Sequence, residues 1–243
     1  MRLYGLIGMP LAQSFSKKYF TEKFAAEDVR DAAYELFELK NIEQFPQLLN
    51  THKDLAGINV TIPYKQDVMQ YLDEVDEEAE KIGAVNCIKI TGGKLKGFNT
   101  DARAFEQSLK ALLYPHHNRA LVLGTGGAAK AIIHVLKKLG IEYKFVSRTP
   151  AKNDFGYEDL TPQIMKDYEL VINCTPLGSF PKLDTFPDIP YECLTPRHYL
   201  YDLVYNPSVT KFLEKGQERG AMIKNGYDML VGQAEASWEI WNG

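Results

Sequence analysis

The stretch Ala120-Leu121-Val122-Leu123-Gly124-Thr125-Gly126-Gly127-Ala128-Ala129 decides the fold class. A short apolar run of strand character enters a cluster of glycines, and helical spacing continues from Gly127 to Leu139. This is the G-x-G-x-x-G/A pattern in the setting it requires, between a strand and a helix. Gly124 permits the tight turn, Gly126 lets the backbone approach a pyrophosphate, and Ala129 keeps the helix close to the sheet. Unpaired N–H groups at the helix start supply an anion site, so Gly124, Thr125, Gly126, Gly127 and Ala128 form a candidate dinucleotide loop.

The end of the next strand, Tyr143–Ser147, selects the dinucleotide. An NAD site presents Asp or Glu there to bind the ribose 2′-hydroxyl. Here the chain has Ser147-Arg148-Thr149, followed by Lys152. A guanidinium pairs bidentately with a 2′-phosphate, so the expected cofactor is NADP.

Strand-like Leu170–Cys174 and Leu200–Val204 continue this βα series, which predicts a parallel sheet. Upstream, Leu3–Gly8, Tyr34–Leu39 and Gly57–Val60 also read as strands, separated by helical spacing at Lys17–Ala26 and Ile42–Leu49. A further helix is expected over Tyr64–Leu72. Ala84–Ile90, Gly92-Gly93 and Lys94–Phe98 read as a hairpin, which makes the first sheet mixed. The domain change is placed near Asp101, and a helix runs from Thr100 to about Leu113. The last segment, Gly226–Trp241, is helical, with Gln233 on its otherwise largely apolar stripe.

Composition narrows the function classes. The chain has 243 residues, 45% hydrophobic and 25% charged, the balance of a folded soluble protein. A net charge of −4 provides no global basic field for nucleic acid or an acidic membrane surface, so neither is an expected partner. Three cysteines are too few to staple a chain of this size and fit a reducing, cytoplasmic setting. The N-terminal run is too short and glycine-broken for a signal peptide, and no stretch approaches the roughly 18 apolar residues of a membrane span. His116-His117 lies in a polar connector without metal-ligand spacing, and no metal is expected.

Two polar clusters carry candidate chemistry. Asn59-Val60-Thr61-Ile62-Pro63-Tyr64-Lys65 ends a strand, where α/β proteins bind ligands. Gly97-Phe98-Asn99-Thr100-Asp101 lies at the expected domain boundary. Hydride transfer from an alcohol needs a group that takes and returns the hydroxyl proton. Lys65 suits that task, and the carboxylate of Asp101 suits a partner that holds its position and charge.

Taken in order, these motifs resemble the shikimate dehydrogenase family from Gly8 to Ala234. Gly8-Met9-Pro10 with Ser14-Phe15-Ser16 is similar to the family's entry loop, which implies that Ser14 and Ser16 bind a substrate carboxylate. Asn59–Lys65 matches its N-V-T-x-P-x-K segment, which implies proton transfer by Lys65. Gly83-Ala84-Val85-Asn86 and Asn99-Thr100-Asp101 match segments that hold the ring hydroxyls, with Asp101 partnering Lys65. Asp202–Pro207 and Asn225–Gln233 match two C-terminal signatures. They imply substrate contacts at Tyr205 and Gln233, and a nicotinamide lined by Leu203, Gly226 and Met229. Asn59, Thr61 and Asn86 complete a set of neutral hydrogen-bonding groups suited to a polyhydroxylated ring carboxylate. Ser16 also has a local reading, as the N-cap of the following helix. Cys87, Ala104 and Ser147 depart from the family's usual Thr, Gly and Asn.

The resemblance implies an α/β protein: an N-terminal mixed α/β substrate domain, residues 1–101 plus 227–243, and a Rossmann-type NADP-binding domain, residues 102–226. The C-terminal helix returns to the first domain. The implied reaction is reversible NADPH-dependent reduction of 3-dehydroshikimate to shikimate, in chorismate and aromatic amino acid biosynthesis, by a monomer or homodimer. Two alternatives share these features: a quinate/shikimate dehydrogenase using NAD, and a non-catalytic dinucleotide or metabolite sensor of the same fold. Arg148 argues against the first, and the retained Lys65 and Asp101 argue against the second.

Overall fold

The computed structural model describes residues 1–12 and 14–243. The chain divides into two compact units, residues 1–100 with 233–243 and residues 101–232.

The first unit is built on a six-stranded sheet of β1 (Arg2–Gly8), β2 (Ala32–Glu38), β3 (Leu55–Val60), β4 (Glu74–Val75), β5 (Cys87–Thr91) and β6 (Lys94–Phe98), in the order β2-β1-β3-β5-β6-β4. β1 runs parallel to β2 and β3, whereas β5 runs antiparallel to β3 and to β6, so the sheet is mixed as expected. Side chains alternate across it. Tyr4 and Leu6 meet Phe20 and Phe24 of α1 (Phe15–Ala26) on one face, whereas Leu3, Ile7, Ile58 and Val60 pack with Phe45, Val68 and Ala79 on the other. That second face is covered by α2 (Phe45–Thr51) and α3 (Glu77–Ile82). Trp241, near the chain's C-terminus, stacks on Tyr4 with ring centroids 4.8 Å apart and donates its indole N–H to the carbonyl of Ile88 at 3.0 Å.

The expected helix over Tyr64–Leu72 is not an α-helix; only Asp67–Tyr71 coils, as a 3₁₀ turn. The reason is long-range. The Lys65 carbonyl accepts from Val85 N–H at 2.7 Å, and the buried Tyr64 hydroxyl donates to the Leu39 carbonyl at 2.6 Å. The first two residues of the local pattern are therefore committed to the segments just after β2 and just before β5.

The second unit carries a five-stranded parallel sheet of β7 (Arg119–Leu123), β8 (Glu142–Val146), β9 (Leu170–Asn173), β10 (Tyr199–Asp202) and β11 (Met222–Lys224). Its order, β11-β10-β9-β7-β8, reverses direction at β7, the topological switch point of a doubly wound sheet. Leu121, Leu123, Val171 and Leu200 face Met165 of α6 (Pro162–Asp167) and Phe212 and Leu213 of α7 (Lys211–Glu218). On the opposite face Tyr201 meets Phe105 of α4 (Thr100–Lys110) edge-on and donates to Ser108 at 2.9 Å. Helix α5 (Gly127–Lys138) lies beside α4, joined through Glu106 and Lys138 at 2.8 Å. The last helix, α8 (Tyr227–Asn242), contributes its first six residues to this unit and the rest to the first.

Candidate functional site

In the first unit, four expected site residues gather at the C-terminal ends of β1 and β3. Thr61 follows β3 and donates its N–H to the Ile7 carbonyl at 2.9 Å. Val60 N–H reaches the Asn86 carbonyl at 2.9 Å, and the Lys65 backbone is tied to Val85. Thr61, Lys65, Asn86 and the strand residue Asn59 are thus fixed by backbone hydrogen bonds to one neighbourhood. Ser14 is the N-cap of α1, its hydroxyl oxygen accepting from Ser16 N–H at 3.3 Å; the capping role expected for Ser16 belongs to Ser14. Ser16 is buried with its hydroxyl against that of Tyr34. Burial pushes the Tyr34 phenol far up, leaving it a neutral donor, and it bonds Asn59 Oδ1 at 2.9 Å.

Asn59, expected to touch substrate, gives both amide hydrogens to the protein, to Ser237 Oγ at 2.8 Å and the Asn86 carbonyl at 3.2 Å. Asn86 differs. Its Oδ1 accepts from Thr100 N–H at 2.6 Å and its Nδ2 donates to Thr100 Oγ1 at 2.9 Å, leaving one amide hydrogen without a partner among the described residues. Asp101 follows Thr100 in the first turn of α4. Gln233, on α8, uses its carbonyl to accept from Ser237.

In the second unit, the expected cofactor residues follow the C-terminal ends of adjacent strands. Gly124 has φ +92°, and a side chain there would press on Thr175 after β9. Gly126 caps α5 in extended conformation with no side-chain cap, and neither Gly126 nor Gly127 has an atom within 4 Å of where a Cβ would stand. Together with exposed Thr125, this leaves backbone N–H groups accessible at the switch point, a surface that fits a dinucleotide pyrophosphate. Ala128 and buried Ala129 continue into the helix. Ser147 N–H is held by the Phe155 carbonyl at 3.1 Å, whereas Arg148, Thr149 and Lys152 are exposed. Asp154, the one acid between Ser147 and Gly156, is turned onto the Phe145 N–H at 3.1 Å. A 2′-phosphate beside Arg148 would thus meet a carboxylate already engaged with backbone.

Leu203 N–H bonds the Asn173 carbonyl at 3.0 Å, and Gly226 N–H bonds the Val204 carbonyl at 3.2 Å. A side chain on Gly226 would collide with the Leu203 carbonyl, so only glycine lets these two segments close up. Met229 is half-buried on the first turns of α8. Tyr205 lines a cavity of about 450 Å³ with Ser208, Lys224, Asn225 and Tyr227, and burial raises its phenol pKa.

Beneath these loops lies a network the sequence reading did not identify. Buried Asp202 accepts from Asn173 Nδ2 at 2.9 Å, Val204 N–H at 3.0 Å and Thr210 Oγ1 at 2.5 Å. Burial pushes its carboxyl up to about 6 despite those donors. Asn173 in turn accepts from Thr175, so one carboxylate braces the loops after β9 and β10. The polar residues ending two successive apolar strands were the available signal. Among the described residues, no group of three or more His, Cys, Asp or Glu side chains could hold a metal, and no helix is long and apolar enough to cross a membrane.

Comparison with known proteins decides the family. Residues 6–88 match the model of the shikimate dehydrogenase substrate binding domain. Shikimate dehydrogenase (NADP(+)) of Clostridium beijerinckii is 40% identical over 252 aligned residues, covering 99% of this chain and 92% of that protein. The chain belongs to the shikimate dehydrogenase family. The shikimate dehydrogenase structure from Aquifex aeolicus matches with a TM-score of 0.88 at 32% identity, covering 100% of this chain and 93% of that one. The Thermus thermophilus shikimate 5-dehydrogenase, solved in complex with NADP(H) and shikimate, matches with a TM-score of 0.85 at 31% identity, covering 100% and 94%.

Within this shikimate dehydrogenase chain, two of the three sequence departures have local accounts. Ala104 is buried against Gly232, where a Cβ would stand 3.2 Å from the alanine methyl, so one small residue faces another. Cys87 is wholly buried, paired in register with Phe98 and Asn59, and packs as a small apolar group.

Proposed function

We propose that this chain catalyses the reversible NADP(H)-dependent interconversion of shikimate and 3-dehydroshikimate, on the route to chorismate and the aromatic amino acids. The observation that carries this reading lies in the first unit: Thr61, Lys65 and Asn86 are laced together by backbone hydrogen bonds, and Asn86 holds Thr100, the residue before Asp101. The exposed glycine loop and Arg148 support NADP as the cofactor.

In this reading the Lys65 amine takes the proton of the substrate hydroxyl during oxidation, and its ammonium returns the proton during reduction. Asp101 holds the position and charge of that ammonium. When bound, the nicotinamide supplies the hydride acceptor or donor. Gly124–Ala128 hold the pyrophosphate, Ser147, Arg148, Thr149 and Lys152 the 2′-phosphate, and Leu203, Gly226 and Met229 the nicotinamide. Ser14 and Ser16, at the start of α1, bind the substrate carboxylate, which a helix N-terminus favours. Thr61, Asn86, Tyr205 and Gln233 hold the ring hydroxyls, while Asn59 acts from beneath as a support. The reading places the enzyme in the cytoplasm, as a monomer or homodimer.

The test follows reduced-nicotinamide absorbance with shikimate or quinate and either NADP+ or NAD+. Turnover of shikimate with NADP+ preferred is expected. Preference for NAD+ with quinate, or no turnover with any pair, contradicts the reading.

A further inference from the structure

We propose that Thr100 and Ser237 are positioning residues of this reaction, which close a buried ring of hydrogen bonds beneath the substrate groups. The proposal rests on the functional reading above and adds residues to its machinery. Asn59, Asn86, Thr100 and Ser237 are 3%, 2%, 2% and 0% exposed. They come from the end of β3, the lead into β5, the start of α4 and the middle of α8.

Donor counting gives the ring a direction. The single Ser237 hydroxyl hydrogen goes to the Gln233 carbonyl at 2.8 Å. The 3.4 Å contact between Thr100 Oγ1 and Ser237 Oγ must then use the Thr100 hydrogen. Thr100 Oγ1 is left to accept from Asn86 Nδ2. Asn59 Nδ2 donates to both Ser237 Oγ and the Asn86 carbonyl, which completes the circuit. Tyr34 fills Asn59 Oδ1 from the other side.

The circuit fixes which way the Asn86 amide faces. With Oδ1 on Thr100 N–H and one Nδ2 hydrogen on Thr100 Oγ1, the remaining hydrogen has a single orientation for a ligand oxygen. The backbone of Thr100 sets where Asp101 begins, and the Gln233 carbonyl sets the turn of α8 that carries the Gln233 amide. Each exit from the ring is a proposed site residue or its immediate neighbour. Buried polar networks of this kind specify one geometry where an apolar core would only fill space.

The test compares Thr100→Val, which keeps shape but removes the hydroxyl, with Thr100→Ser, which restores it, in the full-length protein. With shikimate as substrate, Thr100→Val is expected to lower kcat by about tenfold or more, since small misplacements of reacting groups are that costly. KM for NADP+ should hold within about twofold, and Thr100→Ser should recover most of the loss. Ser237→Ala breaks the same ring and should give the same split, with the double variant little worse than either single one. It carries the comparison if Thr100→Val does not fold. A lowered melting temperature with kcat and shikimate KM unchanged in the folded variants would reduce the ring to a structural role and overturn the proposal. Absence of shikimate turnover in the unsubstituted protein is the separate result by which the functional reading itself fails, and the ring proposal falls with it.

Discussion

Asn86 and Thr100 hold each other by two reciprocal hydrogen bonds, Thr100 N–H to Asn86 Oδ1 at 2.6 Å and Asn86 Nδ2 to Thr100 Oγ1 at 2.9 Å. The amide thereby serves as a cap, supplied from a distant segment, for one of the N–H groups that a helix start leaves unpaired. Its second amide hydrogen has no partner among the described residues.

Replacing Asn86 tests both roles at once. Asn86→Ala leaves the buried Thr100 N–H unpaired and takes from Oγ1 the donor it accepts from, and should cost about 1–3 kcal/mol of stability, read from urea unfolding. The same variant should raise KM for shikimate more than KM for NADP+. Equal effects on both constants would contradict the placement of Asn86 on the substrate side.

Arg148 is exposed at the end of β8, and the single acid of its loop is bonded to backbone. Arg148→Ala should raise KM for NADP+ by about 10- to 100-fold, matching the roughly 1.5–3 kcal/mol of a charged hydrogen bond. Use of NAD+ should change little. Parallel initial-rate measurements with the two cofactors check this, and an equal loss with both would remove Arg148 from 2′-phosphate recognition.

Two buried histidines make stability pH-dependent. His117 Nδ1 accepts from Tyr114 N–H at 3.1 Å while Nε2 faces the Arg197 carbonyl at 2.9 Å. His198 Nδ1 accepts from Thr195 N–H at 3.0 Å while Nε2 faces the Met165 carbonyl at 2.9 Å. These partners fix the neutral Nε2–H tautomer in both rings. Burial holds both pKa values below the ordinary histidine value, with the carbonyl bonds and Glu169 opposing and His116 and Arg197 adding to the depression. The unfolded chain therefore takes up protons first, at about pH 6.5, and stability declines as pH falls through that value toward the folded pKa values. Tm should drop between about pH 7.5 and 5.5, and His198→Gln should flatten the drop. A His198→Gln profile as steep as the original would contradict the assignment.

What could be read from the chain followed the range of the interactions involved. The loop Gly124–Gly127 and its flanking strand were legible because a positive φ and a close backbone approach need glycine locally. The strands β7, β9 and β10 were legible as apolar runs buried on both faces. Helix α3 had readable signals, an Asp76 cap bonded to Glu78 N–H at 3.0 Å and a left-handed Gly83, but its six residues carry little periodicity. The Tyr64–Leu72 segment misled because its helical spacing is real, while the partners of the Lys65 carbonyl and the Tyr64 phenol, Val85 and Leu39, lie 20 or more positions away. Asn59 was legible as a polar residue at a strand end. That it faces inward depends on Ser237, 178 positions away, which no local pattern reveals.

The proposed function stands on proton transfer by Lys65 when shikimate is oxidised. The most direct measurement is single-turnover and steady-state kinetics of Lys65→Ala with shikimate and NADP+, alongside shikimate binding by calorimetry. Turnover is expected to fall by about 10²–10⁴-fold, the usual contribution of general acid–base catalysis, with shikimate still bound. Turnover within a few-fold of the unsubstituted enzyme would contradict the claim.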